Sequence, residues 1–429
     1  MTAEFPTAPG RLPLLGHAHL VTGDPRAFLT SLPELGPVVR IYLGARPAYV
    51  LTTPETIREV SLGRAGTFHR DALRDAISEL VSGATNVLSG TEHDVRRRMI
   101  APAFRQGRLN EYAGHVATIA DDWSAAFTAG DCGDLRSRVH ELVTRTMFAT
   151  LFRSDSGADE ASFIQRRIPW LLGEVIIRGA LPKPARRLRI IPNRRFVRQS
   201  GEVRTALRSL IDQRRQDTDR GDMLSALLHL PDDDLVDELL LALAASIGSQ
   251  SSIFAWLIYE TARAPQITER ICAEVDSVVG TGPVRPEHAS SLPFLRNVLM
   301  ETLRVWAPWI SMITSGGPVR IGATQFPDNT DFLFSPYMVH HQERHFRDAA
   351  VFDPDRWDGA AGDPQAMMPF GMGQRHCPGN HFALLSITLQ AAALFARWRP
   401  ALPDDFEVKV RGKDFVLSPA ALPVTLTPR

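Results

Sequence analysis

Cysteine is scarce in this chain: there are three in 429 residues, Cys132, Cys272 and Cys377. They are too few and too scattered for a disulfide framework or a CxxC metal site. Neither charge sign is in excess, with 48 basic residues against 48 acidic ones. That balance leaves no electrostatic footprint for nucleic acid. No run of about 20 uninterrupted apolar residues occurs, so no membrane span is expected. The opening residues MTAEFPTAPGRLPLLG lack a basic n-region and a cleavage pattern, so no signal peptide is expected and the expected location is cytoplasmic. Internal repeats, low-complexity tracts and domain linkers are also lacking, which leads to the expectation of one large unit over residues 1–429.

Apolar residues make up 44% of the chain and charged residues 22%, enough for a sizeable core and too regular for disorder. Apolar periodicity predicts helices over residues 111–129, 134–151, 203–215, 235–263, 266–279, 292–305 and 379–398. The stretch 235–263 is nearly apolar all round and should run through the core. Residues 38–53 read as a β-hairpin, and 406–412 and 423–429 have the alternating texture of strands. The expected fold class is mainly α with small β-sheets near the two ends (α+β). Residues 181–196 are basic and broken by proline. They are expected to be a solvated loop, with a mobile lid or a patch for an acidic carrier or membrane surface as the alternative.

The most distinctive phrase is PFGMGQRHCPGNHFALL, residues 369–385. A structural cysteine does not need Gly371, Gly373 and Gly379 around it. Glycines let a backbone approach something flat and bulky or adopt positive φ. Pro378 and Gly379 precede a helical pattern, so the sulfur of Cys377 should sit near a helix N-terminus, where the dipole favours a thiolate. Such a thiolate can be a nucleophile, a redox thiol or a metal ligand. A nucleophile wants a histidine base, and His376 and His381 are the neighbours. A haem iron wants a shielded thiolate, with an aromatic side chain beside it and a cation for a propionate. Phe370, the glycines and Arg375 supply those parts.

These residues closely resemble the haem-binding loop of the cytochromes P450, with Phe370, Gly373, Arg375, Cys377 and Gly379 filling its fixed positions. ETLR, residues 301–304, resembles the family's ExxR motif, and FDPDRW, residues 352–357, the later segment whose arginine joins that pair. HDVRRRMIAPAF, residues 93–104, resembles the helix whose His and Arg hold haem propionates. GRLPLLGH, residues 10–17, is similar to the proline-rich opening segment. The resemblance implies one P450-like domain that binds haem b, with Cys377 as the metal ligand. It implies Phe370, Gly371, Arg375, Gly379, His93 and Arg97 as cofactor-binding residues, and Glu301, Arg304 and Arg356 as a structural network. On spacing alone, Glu301 and Arg304 are only a helical i,i+3 pair, worth about 0.3–0.5 kcal/mol if exposed. Cys132 and Cys272 match no motif and read as ordinary small residues.

The resemblance further implies a soluble monomeric monooxygenase that uses O2. Its electrons come from a separate ferredoxin and ferredoxin reductase, since no further cysteine cluster or GxGxxG segment is present. Docking is expected near Arg96, Arg98 and Arg105. The substrate class is an apolar small molecule. The texture of GDPRAFL, residues 23–29, and of FDPDRW is similar to that of terpenoid-oxidising members. A non-catalytic, activator-type relative is the remote alternative, and the complete cysteine loop speaks against it.

Two departures from the family pattern stand out. The central helix of the family carries an acid–alcohol pair, and here SIGSQSS, residues 246–252, places Gly248 at the acid and Ser249 at the alcohol. No carboxylate lies between Glu238 and Glu260. Dioxygen must receive protons before its O–O bond breaks, and an acid beside a hydroxyl relays them. The reading is that Ser249 keeps the hydroxyl role while water or a substrate hydroxyl replaces the acid. The alternative is non-standard chemistry: coupling, rearrangement, desaturation, or a peroxide-driven or redox-neutral reaction. Gly248 suggests a local bend. The second departure is in WISMITSGGPVRIG, residues 309–322. Family members usually place a propionate-binding Arg or His there, and this chain offers Ile313 or Thr314. Ile310, Met312 and Ile313, with Ala245, are expected to line an apolar substrate pocket.

Overall fold

Alternating apolar residues and a tight turn build the first hairpin of this computed structural model. It describes residues 5–21, 24–63, 67–70, 77–130, 132–153, 191–217, 219–307, 309–359, 363–411 and 416–429, with scattered residues between 163 and 178. Strands β1 (Val38–Leu43) and β2 (Arg46–Leu51) pair antiparallel, with Val38 opposite Leu51. Between them Gly44 takes a φ of +65°, a left-handed conformation that glycine adopts without steric cost. Thr53 then caps helix α1 (Pro54–Ser61), its hydroxyl accepting from the Thr56 N–H at 3.3 Å.

Further strands are β3 (Phe68–His69), β4 (Cys132–Asp134), β5 (Ser311–Ser315), β6 (Asp331–Phe334), β7 (Trp398–Ala401) and β8 (Pro423–Pro428). One five-stranded sheet has the order β1-β2-β6-β5-β3, and all its pairs are antiparallel except β2 with β6. A second sheet has the order β4-β8-β7. The fold class is the expected one, mainly α with small β-sheets. In the larger sheet the inner strands β5 and β6 come from residues 311–334 and tie the N-terminal hairpin to the segment after the ETLR helix.

The main helices are α2 (Gly90–Ile100), α3 (Gln106–Ala125), α4 (Leu135–Thr150), α5 (Ile191–Arg215), α6 (Asp232–Ala262), α7 (Pro265–Val278), α8 (Pro293–Val305) and α9 (Asn380–Phe395). Helix α5 begins twelve residues before the expected start at Val203. Pro192, which suggested a break, sits in its first turn, where no intrahelical donor is needed. Residues 181–190 of the basic segment lie outside the described residues, and the rest of it is the start of α5.

Helix α6 runs through the largest apolar cluster, as its all-round hydrophobicity predicts. Trp256 on α6 stacks on Trp306 at the end of α8, with ring centroids 3.5 Å apart. Among the described residues α6 is the one helix long and apolar enough to cross a membrane, and two-thirds of that window is buried inside the protein. The helix is continuous from Asp232 to Ala262, so the bend expected at Gly248 does not interrupt it.

Beneath the cysteine loop, Glu301 and Arg304 on α8 are wholly buried. Arg304 donates to both Glu301 oxygens, Nη2 to Oε1 at 2.7 Å and Nε to Oε2 at 2.9 Å. Arg356 Nε reaches Oε1 at 3.3 Å, and Trp357 Nε1 reaches Oε2 at 3.1 Å. The remaining Arg304 donors meet the carbonyls of His340, Ala349 and Val351. Glu301 bonds both guanidinium groups, and their remaining donors meet carbonyls, so the buried ions are hydrogen-bonded as a buried ion pair requires. Removing Glu301 would leave two buried guanidinium groups uncompensated. Glu301→Ala should therefore lose about 3–5 kcal/mol in chemical denaturation. A loss below about 1 kcal/mol, the value for an exposed pair, would show that the knot does not brace the fold.

Candidate functional site

The cysteine loop follows β5 and β6 in sequence and leads into α9. Gly371 and Gly373 take φ of +74° and +59°. A methyl group on Gly373 would lie 2.1 Å from the carbonyl oxygen of Ser61 at the end of α1. Only glycine allows that approach. The Cys377 N–H donates to Phe370 O at 2.9 Å and closes the loop. A methyl group on Gly379 would meet the Phe104 ring at 3.3 Å. On the remaining side Trp309, just before β5, donates from Nε1 to Pro369 O at 2.6 Å, and its ring lies 3.8 Å from where a Gly371 methyl group would be. Sequence reasoning missed this indole brace. Its only signal was a bulky aromatic directly before the strand.

Burial pushes the Cys377 thiol up, against the pull of the Gly379 N–H and nearby Arg97. Among the described residues no imidazole is hydrogen-bonded to its Sγ. The base a nucleophile needs is therefore missing. A thiol reluctant to ionise in water still gives up its proton to a metal, so of the three readings left open by the sequence the geometry fits the metal ligand. Among the described residues no group of three or more His, Cys, Asp and Glu could hold an ion by itself. This sulfur thus fits a metal whose other ligands come with it, as in a haem.

A group of cations surrounds the loop. Arg97 on α2 donates to the carbonyl of His376. Arg375 donates to the carbonyls of Leu88 at 2.6 Å and Thr85 at 3.3 Å. Burial, with Arg97 beside it, holds Arg375 down to about 10. His93 is buried, and its Nδ1 lies 3.0 Å from Asp94 Oδ1. Burial, then the field of Arg375, lowers its pKa. Burial also lowers Arg97. Arg70, which the sequence did not single out, lies within the field of Arg375. Asp94 is the one carboxylate acting on His93 and Arg375. Buried guanidinium groups bonded mainly to carbonyls leave net positive charge in a low-dielectric place. The two carboxylates of a haem b fit that surplus.

On α6, Leu241, Ala242, Ala245, Ser246, Gly248 and Ser249 remain accessible although their neighbours are buried. A methyl group added at Gly248 would meet only Val416 beyond its own helix, at 3.9 Å. This stretch therefore faces open space. Ser249 Oγ donates to Ala245 O at 2.7 Å, a bond back to its own helix. The nearest carboxylates on α6 are both tied down. Glu238 accepts from Thr85 N and Oγ1 at 2.8 and 2.9 Å, and Glu260 accepts from Trp306 Nε1 at 2.8 Å. Neither can swing towards Gly248.

Ile310 and Met312 are partly buried against the cluster of Ala8, Leu29 and Val39, and Ile313 packs with Val38, Leu51 and Phe332 on the other face of the strand. Thr314 is committed, donating to Asp331 Oδ1 at 2.7 Å. One expectation needs correction, that of Arg96. Arg96 is buried and paired with Asp234 at 3.1 Å and Glu238 at 3.6 Å, so it is not part of a docking surface. Arg98 and Arg105 are exposed.

Comparison with known proteins agrees with this geometry. A family model described as cytochrome P450 matches residues 6–425. A cyclooctat-9-en-7-ol 5-monooxygenase of Streptomyces melanosporofaciens is 31% identical over 420 residues, covering 92% of this chain and 89% of that protein. Cyclooctatin synthase of the same organism is 30% identical, covering 91% and 89%. Pentalenene oxygenase of Streptomyces avermitilis is 28% identical, covering 99% and 97%.

Replacing the sulfur tests the assignment of the loop. The reduced CO complex of Cys377→Ser should lose the red-shifted band of thiolate ligation, and a variant that keeps this band would contradict it.

Proposed function

Because this chain belongs to the cytochrome P450 family and is a haem-dependent oxidoreductase of the monooxygenase type, we propose that it inserts one oxygen atom of O2 into an apolar, terpenoid-like molecule. In this reading residues 1–429 form a single haem domain, and electrons come from a separate ferredoxin and its reductase. The observation that carries it is the glycine-built loop that presents Cys377 among Arg97 and Arg375, with an accessible, carboxylate-free stretch of α6 elsewhere in the chain. The names of the relatives support the substrate class.

Cys377 would hold the haem iron, and the bound group would supply the oxygen-activating chemistry. Arg97 and Arg375 would neutralise the propionates, and the His93 imidazole would offer a neutral hydrogen bond to one of them. Phe370 and the close packing at Gly371 and Gly379 shield the sulfur from water, which keeps it a ligand. Ala245 and Gly248 leave room for a bulky apolar substrate over α6. Ser249 holds a proton at Oγ. To pass it on, the hydroxyl must release Ala245 O and turn outward, and water or a substrate hydroxyl must then restore the proton, since Glu238 and Glu260 are tied. Arg98 and Arg105 flank the residues that touch the loop, Arg97 and Phe104. They supply the basic face that steers an acidic ferredoxin.

The missing acid also supports a second reading, in which the enzyme bypasses ordinary oxygen activation. The two are separated by product formed per reductant consumed, measured with a cyclic terpenoid that shifts the haem spectrum. Efficient partner-driven turnover that falls severalfold in Ser249→Ala supports the monooxygenase with a hydroxyl and water relay. Turnover with peroxide alone, or with no oxidant, supports the second reading. Partner-driven turnover indifferent to substitution from Gly248 to Ser252 would remove α6 from proton delivery. Reduction rates unchanged by ionic strength would remove the docking assignment.

A further inference from the structure

Arg70 presents a problem of charge. Its Nη1 donates to Asn86 Oδ1 at 2.6 Å, a neutral acceptor. Its Nε is sealed from solvent and has no partner among the described residues. No ion pair to an acid is present for it there. The electrostatic neighbour that acts on it is another cation, Arg375. A guanidinium in such a place costs several kcal/mol unless an anion joins it. Burial and Arg375 hold its pKa down to about 10, still well above neutrality, so it stays charged.

The strand beside it shows why a cation is needed here. In the β3–β5 pair, Phe68 is opposite Ser315 and His69 opposite Thr314. Continued by one residue, that register sets Arg70 beside Ile313. Ile313 carries no charge, and Thr314 is bonded to Asp331. This edge of the sheet thus receives its positive charge from the residue that follows β3.

We infer that Arg70 is a further haem-binding residue, whose guanidinium, lacking an anionic partner among the described residues, bonds a propionate carboxylate and so adds a third cation to Arg97 and Arg375. The inference rests on the haem site proposed above. It predicts that the free carboxylate, and not the porphyrin ring, is what Arg70 recognises.

The test measures haem loss from the holoprotein to an excess of a haem scavenger. Wild type, Arg70→Gln and Arg70→Lys are compared, each loaded with native haem and with its propionate dimethyl ester. Native haem should leave Arg70→Gln about tenfold faster than wild type, the effect of one charge-assisted hydrogen bond, and leave Arg70→Lys at a rate between the two. With the ester the three rates should converge, because the carboxylate is gone. Equal rates for native haem in wild type and Arg70→Gln would overturn the inference. So would a tenfold difference that persists with the ester, which would mark Arg70 as a structural residue only. Arg70→Met carries the same comparison if Arg70→Gln does not fold. The CO band of wild type keeps the two readings apart: its absence defeats the haem site itself, and its presence with equal rates defeats only the role of Arg70.

Discussion

The arrangement of this protein depends on an electrostatic imbalance around the cysteine loop. Three segments send cations to one place: α2 supplies Arg97, with His93 beside it, the loop supplies Arg375, and the residue after β3 supplies Arg70. Their protein partners are mostly carbonyls or a neutral amide. Backbone carbonyls orient a guanidinium but do not cancel its charge. The site is thus incomplete in the polypeptide alone, and a dianionic cofactor supplies the missing charge. This arrangement predicts that haem binding and local folding are coupled.

The Glu301 knot has the opposite character. It too is buried, but it contains its own anion, and its donors end on Glu301 or on carbonyls. It can form without any ligand and holds α8 to the segment at Pro354–Trp357. The fold therefore has one self-sufficient polar centre and one that waits for a cofactor. Above them α6 stays a regular helix. With both neighbouring carboxylates used to anchor α6 to other segments, the exposed stretch between them offers hydroxyls and space but no acid.

The fold class and most helices were legible because apolar periodicity survives in long helices such as α3, α4 and α6. The cysteine loop was legible because its glycines are required by close backbone contacts, as at Gly373 against Ser61. Other features had no local signal. The start of α5 was masked by a proline that a first turn tolerates. The strands β5 and β6 are short, and besides each other each pairs with a strand more than 200 residues away in sequence. Arg96 looked like part of a basic surface cluster, and only the fold brings Asp234 and Glu238 to it. Arg70 and Trp309 belong to no motif. Their importance arises from which neighbours lack a partner, and that is a property of three-dimensional proximity.

The central claim is that the cation group depends on the cofactor while the Glu301 knot does not. Amide hydrogen exchange of the protein with and without its haem tests this directly. On haem removal, residues 85–100 and 369–379 should lose protection, while α8 and residues 353–357 keep theirs. Equal loss over both regions, or unchanged protection around the cysteine loop, would contradict the account.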